Sequence, residues 1–119
     1  MSEDKDLQQL IIEGIQERKG HKITVLDLSE IEYAGTSSFI IAEGTSNTQT
    51  AAIAESVVEY VREHSGLKPY AIDGSDPGDW VIVDYGDVWV HIFLPPTRER
   101  YNLEDLWSDA RITHLPDLD

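Results

Sequence analysis

The sequence predicts a single α/β domain (α+β in its segregation of elements): a mixed sheet of about five strands with helices packed on it. Three observations carry that prediction. Segments with apolar residues at three-and-four spacing alternate with short runs rich in β-branched residues. Two strand runs are linked through a helical segment, which a parallel pairing needs and which points to a mixed sheet. Two later runs are joined by a short glycine-containing connection, which makes them an antiparallel hairpin. The chain has 119 residues, the usual size of one domain, and no linker, repeat or low-complexity stretch divides it. The domain is read as residues 1–119.

Each element follows from local chemistry. Leu7, Leu10, Ile11 and Ile15 recur on one helical face beside Gly14, and Arg18, Lys19 and Gly20 end that helix. Lys22 to Leu28 is a strand whose two faces are both partly apolar, so it is expected in the sheet interior. Ser29 to Thr36 is turn-like and leads to Phe39-Ile40-Ile41-Ala42, a buried strand ending at Gly44. Ser46-Asn47-Thr48-Gln49 matches a capping box, with the Ser46 hydroxyl accepting from the third backbone N–H while Gln49 reaches back. Ile53, Ala54, Val57, Val58 and Val61 then line one face of a helix that Gly66 closes. Pro69 to Ile72 reads as a short edge strand, because proline donates no ladder hydrogen bond.

Trp80–Asp84 and Val88–Leu94 are the clearest strands, flanking Tyr85-Gly86-Asp87, and Pro95-Pro96 ends the second. From Thr97 a last helix is expected, with Leu103, Leu106 and Trp107 on one core-facing side. From Thr113 onward the acidic Pro116-Asp117-Leu118-Asp119 tail is expected to fray.

Composition excludes several function classes. The absence of cysteine removes a disulfide framework, a cysteine-ligated zinc site and a thiol nucleophile. No apolar run approaches the ~20 residues of a membrane span, and the first residues carry no basic-then-apolar signal, so a cytoplasmic location is expected. Nine Lys and Arg stand against 23 Asp and Glu, a net charge of −14. Neutralising phosphates needs clustered cations, so direct nucleic-acid wrapping is disfavoured, and the charge suits a basic partner or merely solubility.

No catalytic motif is present: no phosphate loop, dinucleotide fingerprint, zinc-binding helix or nucleophile elbow. Gly44-Thr45-Ser46 precedes a helix N-terminus where an anion could sit, yet capping accounts for every residue there. His21, His64, His91 and His114 are scattered, and a lone strand histidine such as His91 is read as structural, bonded to a carboxylate or backbone carbonyl. Asp73, Asp76, Asp79, Asp84 and Asp87 gather near the hairpin. They match no calcium loop and suit turns or a patch for basic side chains. No cofactor and no metal site is expected.

Trp80, Ile82 and Asp84 share a strand face opposite Val81, Val83 and Tyr85. If helices cover only one face, the other shows tryptophan and isoleucine near carboxylates, as protein-binding patches do. If both faces are covered, the same residues are core.

Asp27-Leu28-Ser29, then Phe39-Ile40-Ile41-Ala42-Glu43-Gly44-Thr45-Ser46, then the run from Asp79-Trp80-Val81-Ile82 through Asp84-Tyr85-Gly86-Asp87 to Val90-His91-Ile92-Phe93, resemble the ribosomal silencing factor (RsfS, or iojap-like) family. Arg98, Tyr101, Leu103-Glu104 and Leu106-Trp107 are similar to its closing segment, so the resemblance spans nearly the whole chain. It implies a nucleotidyltransferase-like fold without the catalytic carboxylates, and a non-enzymatic translation repressor. It further implies binding to the large ribosomal subunit through universal protein L-fourteen, a basic ribosomal protein, and a steric block on small-subunit joining, chiefly when nutrients are scarce. Organelle relatives are linked to large-subunit assembly, and isolated members are often homodimers. The family's contact surface maps here to Trp80, Ile82, Asp84, Tyr85 and Asp87. One departure stands out: Thr36 is followed by Ser37 where the family usually has Asp, so the role of that carboxylate is not carried over.

The alternative from another class is a metal-dependent nucleotidyltransferase-like enzyme using carboxylates near the hairpin. Two-metal chemistry needs carboxylates converging on ions about 4 Å apart. No glycine-serine nucleotide motif with a paired Asp-x-Asp precedes Asp84 and Asp87, which weighs against that reading.

Overall fold

The Asp6 carboxylate accepts from the Gln9 N–H at 2.9 Å and opens the first helix, α1 (Leu7–Glu17). The computed structural model describes residues 6–76 and 78–118. After α1 come β1 (His21–Asp27), β2 (Ser38–Glu43), α2 (Asn47–Ser65), β3 (Ala71–Asp73), β4 (Trp80–Asp84) and β5 (Val88–Phe93). The short helices α3 (Pro95–Tyr101) and α4 (Leu103–Leu106) and the strand β6 (Arg111–His114) complete the order.

The six strands form one sheet in the order β3-β4-β5-β2-β1-β6. β2 and β5 run parallel, and every other neighbouring pair is antiparallel. The sheet is therefore mixed, as the sequence predicts, with six strands rather than about five. The β4–β5 hairpin turns through Gly86 at φ +86, whose N–H is taken by an Asp84 carboxylate oxygen at 2.7 Å.

α1 and α2 pack together on one sheet face. Leu10, Ile11 and Ile15 meet Ile53, Val57 and Val61 over Ile40, Val81, Val83, Val90 and Ile92. Each such side chain contributes roughly 1.5–3 kcal/mol when fully buried, and this cluster is the main core. A Cβ on Gly14 would stand 2.9 Å from the Val57 Cα, which explains the glycine on the buried stripe of α1. The Ser46 hydroxyl accepts from Gln49 N–H at 3.1 Å, as expected. The Gln49 side-chain oxygen reaches one residue further than a capping box, accepting from Thr45 N–H at 2.6 Å and from its hydroxyl at 2.7 Å.

Three expectations about the C-terminal third are corrected. β5 does end before Pro95-Pro96, but the helix begins with them and not at Thr97: they form the first turn of α3, where a missing N–H costs nothing. The helix expected from Thr97 onward breaks at Asn102, in the left-handed region at φ +45. Only one turn, α4, follows, and this rotates Leu106 outward to 71% exposure while Leu103 stays buried and Trp107 half-buried. The tail is not frayed from Thr113. β6 pairs with β1 from Asp27↔Arg111 to Thr24↔His114, Leu115 N–H donates to the Ile23 carbonyl at 2.9 Å, and Asp117 accepts from Lys22 N–H at 2.7 Å. Asp119 lies outside the described residues.

A bulge in β1 between His21 and Thr24 turns Lys22 to φ +53 and frees its carbonyl. Arg98 of α3 takes it at 2.8 Å, and also pairs with Glu43 at 3.2 Å and Glu104 at 2.7 Å while donating to the Thr24 hydroxyl at 3.0 Å. One buried guanidinium thus ties α3 and α4 to two strands.

Candidate functional site

The sheet face turned away from α1 and α2 holds the site. Its rows follow from register: Asp84 lies across from Trp89, then Phe39, then Leu26; Ile82 from His91, then Ile41; Trp80 from Phe93, then Glu43. At the β1 end the loop after β1 and the segment around Leu103, Trp107 and Ala110 cover this face, forming a second, smaller cluster with Leu26, Leu28, Phe39, Ile41 and Phe93. Asp27 anchors the start of that loop, accepting from the Ser29 hydroxyl at 2.6 Å and its N–H at 3.0 Å. Those bonds, the hydroxyl first, hold its carboxyl below the usual range.

Toward the β3 edge the cover ends. Trp80, Ile82, Asp84 and Trp89 are half-buried, and Ala71 and Asp73 are exposed. Of the five residues mapped as partner-binding, Trp80, Ile82 and Asp84 therefore share this open face. Asp87 is exposed at the hairpin tip, and its carbonyl accepts from Ser37 N–H at 3.0 Å and Ser38 N–H at 3.1 Å. Ser37 thus lies beside the hairpin turn. Tyr85 is not brought to the face: it is 7% exposed within the helix-covered core, and burial pushes its phenol up to about 12. Its hydroxyl has no hydrogen-bond partner among the described residues.

Aromatic rings cross the whole face. Tyr33 stacks on Trp107 at 6.0 Å, Trp107 meets Phe39 edge-on at 5.9 Å, and Phe39 meets His91 at 4.5 Å. His91 lies 6.0 Å from Trp80, which packs on Phe93 at 5.0 Å and Tyr101 at 4.7 Å. Alternation places Trp89 and His91 here once the hairpin register is known. Tyr33, in a loop, and Tyr101, near a helix end, carry no periodic signal that sequence could use.

His91 is structural in its contacts, but its partner is neither carboxylate nor carbonyl: the Trp80 indole N–H donates to its Nδ1 at 3.1 Å. The other histidines lie apart, His21 beside the Lys19 carbonyl, His64 stacked on Tyr60, and His114 within 3.1 Å of the Thr24 hydroxyl. Among the described residues no three His, Asp or Glu side chains converge as a metal-binding set. No helix among them is long and apolar enough to cross a membrane.

With this geometry in hand, comparison with known proteins supplies the family. A family model described as "Ribosomal silencing factor during starvation" matches residues 1–119. The ribosomal silencing factor RsfS of Chromobacterium violaceum is 40% identical over 112 residues, covering 92% of this chain and 88% of that protein. The mouse protein named "Mitochondrial assembly of ribosomal large subunit protein 1" is 33% identical over 102 residues, covering 83% of this chain but 44% of its own. A crystal structure of a Chromobacterium violaceum protein superposes with a TM-score of 0.82 at 37% identity, covering 90% of this chain and 88% of that one. The chain belongs to the ribosomal silencing factor (RsfS) family.

Proposed function

We propose that this chain binds the large ribosomal subunit through a basic ribosomal protein, universal protein L-fourteen, and sterically blocks association with the small subunit. On this reading it is a non-enzymatic, cytoplasmic repressor of translation acting chiefly under nutrient limitation. The observation that carries the reading is the half-covered sheet face, which Trp80 and Ile82 share with Asp84, with Asp87 at the adjoining hairpin tip. A large aromatic anchor with a carboxylate further along the same face suits a Lys- and Arg-rich protein surface. The net charge of −14 supports it, because surrounding ribosomal RNA repels the chain everywhere except at that basic surface. Family membership supports a ribosomal target, and the mouse relative's name points to the large subunit.

Tyr85 enters this site as a support beneath the turn that presents Asp84 and Asp87, since its ring is buried on the other face. The resemblance also implies a homodimer for the isolated protein, which sedimentation velocity tests. The deciding experiment is a sucrose-gradient profile of ribosomes mixed with the purified chain. The expected result is co-sedimentation with free large subunits, absence from joined ribosomes, and loss of joined ribosomes as the chain is added. Co-sedimentation with joined ribosomes, or with none, overturns the reading.

A further inference from the structure

We propose that His91 is a positioning residue for the docking face, holding the Trp80 indole by its N–H so that Trp80 meets the partner through its apolar ring alone. The inference rests on the docking reading above and names the chemistry that reading requires at Trp80.

Register makes the two residues diagonal neighbours, since Trp80 lies across from Phe93 and Ile82 across from His91. The indole donates to His91 Nδ1 at 3.1 Å. Indole nitrogen only donates, so Nδ1 is the acceptor and the imidazole proton sits on Nε2. Burial favours the neutral ring that this bond requires, pushing the histidine down to about 4. The ring cannot swing away: it is 4% exposed, with Phe39 edge-on at 4.5 Å and Phe93 nearly parallel at 6.1 Å.

The choice of histidine is what points to a role. His91 Nε2 is buried without a hydrogen-bond partner among the described residues, so the site carries an unsatisfied polar atom that a phenylalanine would not have. Packing alone favours the hydrocarbon ring. What histidine adds is the acceptor for Trp80. With its one donor occupied, the indole has no hydrogen bond to offer. Its counterpart is therefore an aliphatic side chain, or the stem and cation of a Lys or Arg laid on the ring, and not a carbonyl or carboxylate.

The test uses the full chain, 15N-labelled, and purified large ribosomal subunits. The chain has three tryptophans, and Trp80→Phe identifies the Trp80 indole signal. In the parent its proton is expected to exchange with water at least about tenfold more slowly than an exposed indole; exchange at the exposed rate overturns the proposal without any variant. His91→Phe removes the acceptor and keeps a ring, so exchange should accelerate and large-subunit affinity should fall about fivefold, the loss of one hydrogen bond's ordering. His91→Asn places an oxygen where Nδ1 stood and should restore slow exchange and affinity to within about threefold of the parent. Trp80→Ala should weaken affinity about 30-fold. Weak binding by Trp80→Ala with parental binding by His91→Phe overturns the positioning role alone. Parental binding by Trp80→Ala overturns the docking reading, and the positioning role with it.

Discussion

Two side chains, Arg98 and His91, show how single residues set the local balance. Arg98 is nearly buried and its four partners come from three parts of the chain. Arg98→Met keeps the stem but leaves Glu43 and Glu104 without the cation they share, so urea unfolding should show a loss of about 3 kcal/mol or more. His91 makes stability depend on pH. Its folded value of about 4 lies below the ordinary 6.5, so between those values the unfolded chain binds the extra proton. The contribution is whole above pH 6.5 and is lost as pH falls toward 4, up to about 3 kcal/mol. Unfolding midpoints measured across that window should fall in the parent and fall less in His91→Phe. Alternation along the strand is enough to place Trp80, Ile82 and Asp84 together. The Trp80–His91 bond is not legible in the sequence, because it depends on a diagonal contact that exists only once the hairpin register is fixed.

Elements with a strong periodic signature are legible in the sequence, and those held by partners are not. The stripe of α1, the cap and stripe of α2, and the β4–β5 hairpin all stand where apolar spacing and turn chemistry put them. β6 escapes a sequence reading because Arg-Ile-Thr-His has one half-buried apolar residue, Ile112, and its pairing comes from the free edge of β1. The stop between α3 and α4 escapes it because Asn102 signals a left-handed turn only weakly beside Leu103 and Leu106. Two predictions belong to this scale. Gly14→Val should push α1 off α2 and cost about 1–3 kcal/mol, read as a lower urea midpoint with an unchanged slope. Deleting residues 111–119 should strip β1 of its neighbour, lowering the melting temperature by roughly 5–10 °C and causing concentration-dependent association through the bared edge. An unchanged melting temperature would return that segment to a peripheral tail.

At the scale of the whole molecule, charge decides how the chain finds its target. A net charge of −14 facing a basic surface should speed encounter, and salt should screen that attraction over a Debye length of about 8 Å at physiological ionic strength. Association with large subunits should therefore slow steeply as salt rises, while dissociation changes little. Replacing Asp84 and Asp87 together by asparagine tests where the field is felt. Asp84→Asn keeps a side-chain oxygen for the Gly86 N–H that Asp84 holds at 2.7 Å, so the turn survives and only charge is removed. The measurement is association rate against ionic strength for parent and double variant, with a shallower slope expected for the variant. A flat response in the parent would rule out steering. Equal slopes in both would move the acidic contact from the hairpin tip to another exposed stretch, such as Glu30 and Glu32 in the loop that carries Tyr33 at the far end of the aromatic row.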